Sequence, residues 1–384
     1  MASFKFNTIT RADIQRSVGG NQMIAAIDYS GLNHIMVIGC PGSGKTTVTI
    51  MRAERLVNAG KTIRVFTYQN LLRTSIKNIA SVNLQEHIFG FYDWWCGHRK
   101  LGYLDYFHDT AYMIDKLSNE VVIDEILIDE GQDFEARIYQ TLLTKCSKMV
   151  VGADNAQKIH EKGILANNIK DILEDDNQVV TFKLEYNYRN SFEIYNFARH
   201  FMPVSERANN PLVLEMMPKG NGEKPFVFQA SNEVEELSIL KTLLQNAGDK
   251  NIAVLAYHQD EVNYFYEKIK EMNFVCSKYH NKFQATESIE NILVTTYKSA
   301  KGLEFQVVIM PTLETAMNAS EKTAEHYYIG STRAKENLFL IFKGANMPDC
   351  LKNFDKNAYD FVGLGGINKE KERTFTTHGD GLPF

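Results

Sequence analysis

The feature that most constrains the fold is the segment GCPGSGKTT, which runs from Gly39 to Thr47. It fits the pattern G-x-x-x-x-G-K-[ST], and it follows an apolar run (HIMVIG) and precedes an amphipathic stretch closed by Gly60. Glycines let the backbone of such a loop wrap around a phosphate, while N–H groups at the helix N-terminus attract its charge. The sequence therefore predicts a phosphate-binding loop inside a βαβ unit, rather than a glycine turn that merely joins strand to helix. The predicted contacts are Gly39, Gly42, Ser43, Gly44, Lys45, Thr46 and Thr47.

An acidic pair follows the apolar run EILI in the segment EILIDEGQDF. In enzymes that hydrolyse nucleotides, the first carboxylate of such a pair binds Mg²⁺ and the second orients or deprotonates the attacking water. Acidic residues at strand ends are often only solvated surface features, but a phosphate loop upstream makes the pairing specific. We therefore expect Thr46 and Asp129 to hold Mg²⁺ and Glu130 to act on the water. Lys45 would reach the terminal phosphates of ATP.

Apolar runs that end in polar residues recur along the chain in two sets. The first set contains EILIDE, KMVVGAD and QVVTFKLEY, and the second, after Arg189, contains KPFVFQA, NIAVLAY, NILVTTY, FQVVIMP and LFLIFKG. This pattern is typical of parallel strands that carry functional groups at their C-terminal ends. Because 384 residues suffice for two hydrophobic cores, we predict an α/β protein with two tandem domains. Their predicted ranges are 1–190 and 191–345, followed by a C-terminal extension and mobile tail over 346–384.

The composition excludes several other classes of protein. A hydrophobic content of 44% with 23% charged residues is typical of a globular chain. No apolar run approaches the roughly 18 residues of a membrane span, and the first residues lack the organisation of a signal peptide, so we expect a cytoplasmic protein without a membrane partner. The five cysteines have no C-x-x-C spacing, which favours free thiols over a zinc site or disulfides. A net charge of −5 argues against a surface that is basic all over, although a local basic groove could still bind nucleic acid.

Further segments carry recognisable motifs in a fixed order. They are Gln22 ahead of the phosphate loop, DEGQD (129–133), ADNAQ (153–157), LEYNYRN (184–190), TTYKSAKGLEF (295–305) and YYIGSTRAKENL (327–338). Together with the phosphate loop, these segments resemble the motifs of superfamily 1 helicases of the UvrD/Rep group. The resemblance extends along most of the chain. It implies two tandem RecA-like domains of the P-loop NTPase fold, with ATP and Mg²⁺ as cofactors.

The resemblance also implies roles for individual residues. Gln22 would read the adenine base, and Tyr188 would stack on it. Glu304, beside Gly302, would contact the ribose. Gln157 would sense the γ-phosphate, and two arginine fingers would stabilise the charge that builds on the γ-phosphoryl oxygens. These fingers are Arg189 and Arg333, for which a surface salt bridge is the alternative.

Contacts with nucleic acid are less clearly marked. Segments VFTYQN and FGFYDWWCGHRK occupy the places of the family's first two DNA-contacting segments, and the start of TTYKSAKG is comparable in the second domain. Aromatic side chains beside His98, Arg99 and Lys100 suit a groove for a single strand, but a buried core patch is almost equally compatible. The candidates are Phe66, Thr67, Tyr92, Trp94, Thr295 and Lys298, with Phe91 and Thr296 beside them.

The chain also departs from the family pattern. The intervals from Cys96 to Asp129 and from Arg189 to Thr295 are much shorter than in full-length relatives, which predicts a compact form with reduced or absent inserted subdomains. Thr47 stands where the family often has an adenine-stacking arginine. Where the family has an aromatic pair and an arginine that grip DNA, this chain has Lys158, His160, Glu161 and Lys162.

The resemblance implies a DNA-stimulated ATPase that moves on single-stranded DNA, with 3′→5′ polarity by analogy and more translocation than duplex unwinding. RNA is the lesser alternative as a track, because stacking and phosphate contacts do not distinguish the sugars. The rival hypothesis is an ATP-gated switch that controls a partner such as a nuclease. The terminal segment Asp380–Phe384 resembles the acidic and hydrophobic tip of bacterial single-stranded-DNA-binding proteins, which would suit a protein partner in a repair or defence complex. A frayed end is the alternative.

Overall fold

The computed structural model describes residues 4–6, 8–96, 122–154, 162–202, 207, 214–279, 289–316 and 321–364. The chain divides into two compact units. The first unit is Phe6–Tyr186, and the second unit combines Met1–Lys5 with Asn187–Phe384. Each unit is an α/β domain built on a parallel sheet, so the predicted fold class is confirmed.

The sheet of the first unit has six strands in the order β3-β2-β4-β5-β1-β6. These strands are β1 (His34–Gly39), β2 (Ile63–Thr67), β3 (Ile88–Gly90), β4 (Glu125–Ile128), β5 (Met149–Ala153) and β6 (Val179–Leu184). Each pair is parallel, and β1 lies between β5 and β6 with Ile35 opposite both Val150 and Val180. Because helices cover both faces of such a sheet, its central strands are mostly apolar and largely buried, with His34 and Glu125 as the polar residues at the starts of β1 and β4.

Within the described residues, the first unit has helices before β1 as well as between its strands, including the helix of the βαβ unit that the sequence predicts. They are α1 (Arg11–Arg16), α2 (Gly20–Asp28), α3 (Lys45–Asn58), α4 (Asn70–Ile79), α5 (Val82–Gln85), α6 (Phe91–Cys96), α7 (Ala136–Leu143) and α8 (Ala166–Glu174). A capping box formed by Thr10 and Asp13 begins α1. A short 3₁₀ turn, Gly131–Asp133, follows β4. Across both units, none of the helices within the described residues is long and apolar enough to cross a membrane.

The second unit has a seven-stranded parallel sheet in the order β13-β7-β12-β11-β8-β10-β9. Its strands are β7 (Phe226–Ala230), β8 (Ile252–Ala256), β9 (Ser277–Tyr279), β10 (Ile292–Thr296), β11 (Phe305–Met310), β12 (Ala334–Lys343) and β13 (Asp360–Val362). Its helices are α9 (Phe192–Ala198), α10 (Glu233–Ala247), α11 (Gln259–Glu271) and α12 (Glu321–Ser331). Five of the strands coincide with the predicted apolar runs, whereas the short edge strands β9 and β13 were not predicted.

A segment from the start of the chain belongs to the second unit. The Phe4 N–H donates to the carbonyl of Ile289 at 2.9 Å, and the Phe4 ring meets the edge of Phe305 with centroids 5.6 Å apart. Asn251 bonds both backbone groups of Lys5, accepting from its N–H at 3.0 Å and donating to its carbonyl at 2.7 Å. The chain therefore contributes to the second unit before it forms the first.

Candidate active site

The phosphate-binding loop lies at the carboxyl edge of the first sheet, between β1 and α3. The ammonium of Lys45 donates to the carbonyls of Gly39 at 2.7 Å and Cys40 at 3.0 Å, and it lies 3.8 Å from a carboxylate oxygen of Asp154 at the end of β5. Gly44, which immediately precedes α3, has φ of 96°, a backbone conformation that a side chain would strain. The loop lysine is thus buried next to the ends of two neighbouring strands.

Thr46 and Asp129 are brought together as predicted for a metal-binding pair, although they are far apart in sequence. The Thr46 hydroxyl donates to Oδ2 of Asp129 at 2.7 Å. The carboxylate of Asp129 is fully buried, and burial, followed by the charge of Glu130, raises its pKa. A buried carboxylate with a raised pKa gains strongly from a nearby cation, and hydroxyl and carboxylate oxygens are the ligands that Mg²⁺ prefers.

Three buried side-chain oxygens around the loop make no hydrogen bond within the described residues: Gln22 Oε1, Ser43 Oγ and Asp129 Oδ1. Such atoms are rare in proteins because each loses its bonds to water without replacement. Beside them, a Cβ added to Gly152 would lie 3.4 Å from Asp129 Oδ1 and 3.5 Å from Cβ of Lys45. The glycine thus leaves space between the lysine and the carboxylate. These features fit a polar ligand such as Mg²⁺ with a nucleotide.

Glu130 adopts an unusual backbone conformation that directs its side chain. Its φ and ψ are 56° and 47°, in the left-handed region that a glutamate rarely occupies. The Gln132 amide donates to a Glu130 carboxylate oxygen at 2.6 Å and accepts from the backbone N–H of Asp154 at 2.9 Å. Gln132 thus fixes the candidate catalytic carboxylate to the end of β5. Sequence reasoning assigned Gln132 no role, although it lies in the DEGQD segment.

Gln22 lies in the first turn of α2, which packs beside the phosphate loop. The next residue, Met23, approaches Gly44 so closely that a Cβ there would be 2.5 Å from its terminal methyl. At the start of α2, Gly19 has φ of 72°, and the ring of Tyr186 covers the position that its Cβ would take. Helix α2 is therefore fixed close to the loop at its N-terminal end.

The second unit brings together the predicted arginines and the predicted ribose contact. Arg189 Nε lies 3.3 Å from a carboxylate oxygen of Glu304, whose other oxygen accepts from Lys335 at 3.0 Å. Arg333 is buried, and its guanidinium donates to the carbonyl of Ile329 at 3.0 Å. Thr332 links the two arginines, because its carbonyl accepts from Arg189 at 3.4 Å and its hydroxyl from Arg333 at 3.1 Å. Tyr188 is partly buried, and Gly302 has φ of 82°.

The candidates for nucleic-acid contact divide into buried and accessible residues. Phe66, Thr67 and Thr295 are completely buried, and Phe66 packs against Trp94 and the equally buried Phe91. These aromatic residues form part of the hydrophobic core, the alternative that the sequence left open. Because their side chains are inaccessible, a contact between nucleic acid and Phe66, Thr67 or Thr295 would have to use backbone atoms. Accessible side chains remain at Tyr92 and Trp94, which are partly exposed, and at Lys298, which is exposed.

Some predicted positions lie outside the described residues. These are Gln157, the divergent residues Lys158, His160 and Glu161, the basic run His98–Lys100 and the terminal segment Asp380–Phe384. Of the divergent positions, Lys162 is described, and its ammonium lies 3.8 Å from the carboxylate of Glu135.

Comparison with solved structures supports the fold at low sequence identity. Yeast (S. cerevisiae) Dbp5 bound to RNA and ADP–BeF₃ matches with a TM-score of 0.54 and 13% identity, over 89% of this chain and 88% of that one, and a point variant of Dbp5 matches equally. A second match is the C-terminal domain of a protein from Lactobacillus plantarum that is described as a possible DNA helicase. Its identity is 18%, over 45% of this chain and 98% of that domain. The TM-score of this match is 0.36, which is too low to support any inference. No curated protein sequence matches.

Two family models match the sequence. The model of an AAA domain matches residues 22–161, which contain the phosphate loop and the acidic pair. The model described as the viral superfamily 1 RNA helicase core domain matches residues 104–342, more than half of the chain. This range includes Asp129, Arg189, Glu304 and Arg333. By this match, the chain belongs to the superfamily 1 helicases.

Proposed function

We propose that this helicase hydrolyses ATP with Mg²⁺ and uses the energy to move along single-stranded DNA in the 3′→5′ direction. The observation that carries the proposal is the bond between Thr46 and Asp129 beside the buried ammonium of Lys45. Helicase domains of this family imply nucleotide hydrolysis. The choice of DNA, the polarity and the closer relation to the UvrD/Rep group rest on the motif resemblance.

The residues of the first unit suit phosphoryl transfer to water. Thr46 and Asp129 would hold Mg²⁺, which neutralises charge on the phosphate oxygens when bound. Lys45 would pair with the terminal phosphates, and the loop backbone would bind them through its N–H groups. Glu130 would orient the attacking water and accept its proton, because Gln132 holds its carboxylate in one position.

The remaining nucleotide contacts are proposed from the resemblance and from their placement. Gln22 would read the base, which is supported by the packing of the next residue, Met23, against Gly44 of the phosphate loop. Tyr188, Gly302 and Glu304 would bind the adenosine part. Arg189 and Arg333 would stabilise charge on the γ-phosphoryl group, as guanidinium groups do in related reactions. Gln157 would sense the γ-phosphate.

The single strand of nucleic acid is proposed to contact the accessible residues Tyr92, Trp94 and Lys298, since aromatic faces stack on bases and lysine pairs with phosphates. RNA is the principal alternative, because the matching family model is named for RNA helicases and Dbp5 is described as bound to RNA. Both polymers must therefore be tested.

A second candidate function is an ATP-gated switch that acts on a partner protein, such as a nuclease in a repair or defence complex. It is favoured by the residues Lys158, His160 and Glu161, which replace the aromatic and arginine residues that grip DNA in the UvrD/Rep group. Terminal residues Asp380–Phe384 are the proposed partner contact.

The first experiment is the steady-state ATPase rate with Mg²⁺, measured alone and with single-stranded DNA, duplex DNA and single-stranded RNA. Lys45→Ala should abolish hydrolysis, and Lys61→Ala, at an exposed lysine of the same unit, should not. Strong stimulation by single-stranded DNA is expected. Stimulation by RNA alone would show that the protein acts on RNA instead of DNA. A basal rate of hydrolysis that none of the three polymers changes would favour the ATP-gated switch.

Arginine variants test the roles assigned to the second unit. Arg189→Ala and Arg333→Ala should reduce turnover severely while ATP binding is largely retained. Because Arg333 is buried, circular dichroism must first establish that its variant folds. Undiminished turnover in either folded variant would contradict its assignment.

A further inference from the structure

A buried arginine outside the predicted site connects three elements of the first unit. Arg52 lies in α3 and is 1% exposed. Its Nε and Nη2 donate to the two carboxylate oxygens of Glu125, the second at 2.9 Å. Glu125 is also buried and is the first residue of β4. The pair is therefore bidentate and shielded from water.

The same guanidinium also holds the C-terminal end of α2. Its Nη1 donates to the carbonyls of Ala26 at 3.0 Å, Ile27 at 3.1 Å and Tyr29 at 2.9 Å. The last carbonyls of a helix have no partner within the helix, and they form the negative end of its dipole. Arg52 thus satisfies these carbonyls and offsets their charge, and the end of α2 is fixed to α3.

Each of the three elements carries a part of the proposed nucleotide site. Lys45 lies two turns before Arg52 on the same face of α3. Asp129 follows the strand that Glu125 begins. Helix α2 carries Gln22, and the next residue of that helix, Met23, packs against Gly44 of the loop.

We propose that Arg52 is a positioning residue for recognition of the nucleotide base. It fixes α2 relative to α3, and thereby sets the distance of the Gln22 amide from the phosphate loop. This inference rests on the proposed reading of adenine by Gln22. An amide presents an N–H donor beside a carbonyl acceptor, which match N7 and the N6 amino group of adenine but not the two acceptors of guanine. The unpartnered Oε1 of Gln22 is the acceptor that such a pairing needs.

Phosphate binding depends on different contacts. The loop between β1 and α3 would bind the triphosphate through its own backbone, Lys45 and Thr46. A small displacement of α2 would therefore weaken discrimination between bases without removing the groups that act on the phosphates. An ion pair with a purely structural role would instead affect all nucleotides equally.

The test compares ATP and GTP as substrates of the full-length protein, by kcat/KM and by competition for a fluorescent ATP analogue. Arg52→Lys keeps the charge beside Glu125 but loses the planar fork that reaches the carbonyls. We expect it to lower the ATP-to-GTP ratio of kcat/KM about tenfold through KM for ATP, with kcat at saturation nearly unchanged. Gln22→Ala should lower the ratio in the same way. Arg137→Lys, the same change at an exposed arginine on α7, should leave it unchanged.

A double variant covers the case in which Arg52→Lys does not fold. Arg52→Met with Glu125→Leu removes both charges, so no unpaired charge is left in the interior, and it also removes the carbonyl bonds. The same fall in the ratio is expected.

Two results would overturn the inference for different reasons. If Gln22→Ala lowers the ratio but the folded Arg52 variants do not, Arg52 has only a structural role, and the proposed function stands. If Gln22→Ala itself leaves the ratio unchanged, Gln22 does not read the base and the inference falls with it. The competition assay reports the ratio of the binding affinities for ATP and GTP even without turnover, so loss of the proposed ATPase is detected separately through Lys45→Ala.

Discussion

Replacement of Gly19 with alanine should destabilise the first unit by about 2–5 kcal/mol. Two costs add up. A side chain at φ of 72° costs about 1–2 kcal/mol, because its Cβ approaches the carbonyl oxygen. The new Cβ would also lie 2.1 and 2.2 Å from two ring atoms of Tyr186, and displacing a packed ring costs about 1–3 kcal/mol. Since Gly19 immediately precedes the helix that carries Gln22, KM for ATP should rise as well.

Gly60→Ala is the matched control for the backbone cost. Gly60 has φ of 70°, but nothing lies within 4 Å of the position of its Cβ. Its variant should therefore lose only about 1–2 kcal/mol. In a Tyr186→Ala background the ring is gone, so Gly19→Ala should cost no more than Gly60→Ala does.

The assay is urea unfolding followed by tryptophan fluorescence. The chain has two tryptophans, Trp94 and Trp95, and both lie in the first unit, so the signal reports that unit. Linear extrapolation then gives the free energy of unfolding for each variant. Equal costs at Gly19 and Gly60, with no effect of the Tyr186 background, would refute the reasoning about the ring contact.

Three further predictions follow from buried groups. Asp129→Asn should raise the free energy of unfolding by about 1–3 kcal/mol at about pH 7.5 in EDTA, because ionisation of the buried carboxyl is unfavourable. Because the pKa of Asp129 is raised in the native protein, its carboxyl becomes protonated there as the pH falls, and the cost of the buried charge disappears. The stability gained from Asp129→Asn should therefore shrink as the pH of the urea titrations falls through that pKa. An unchanged free energy of unfolding near neutral pH would contradict this prediction. Burial raises the pKa of the Cys146 and Cys350 thiols to about 12, so both thiols should resist alkylation by iodoacetamide at about pH 8 until urea is added. Mass spectrometry that found rapid labelling of the native protein at these cysteines would contradict this prediction. Asn251→Ala removes two bonds to the Lys5 backbone and should lower the free energy of unfolding of the second unit by about 1–3 kcal/mol, measured by circular dichroism; an unchanged value would show that these bonds contribute nothing.

The central part of the candidate site could be predicted because its geometry is local to motifs. The pattern around Lys45 specifies a strand, a loop and a helix together, and the acidic pair ends a parallel strand of the same sheet. Since carboxyl ends of parallel strands gather at one edge, the contact between Thr46 and Asp129 follows from topology.

Other contacts could not be predicted, because nothing local distinguishes them. Arg52 and Glu125 each look like an ordinary charged surface residue, and only the packing of three elements makes them a buried pair. The aromatic segments FGFYDWWC and VFTYQN have a composition that suits either a core or a strand-binding surface. Burial of Phe66 depends on the packing of Phe91 and Trp94 against its ring, which the sequence does not reveal.

The attachment of Phe4 and Lys5 to the second unit has a consequence for any attempt to separate the two halves of the chain. Because the polypeptide passes between the units after Lys5 and again after Tyr186, one cut cannot divide it into two independent pieces. A protease that cleaves the bond before Asn187 would leave the first residues of the N-terminal fragment bonded to Asn251 and packed on Phe305. The cleaved halves should therefore stay associated without a covalent bond, as complementing fragments do, through the contacts of Phe4 and Lys5.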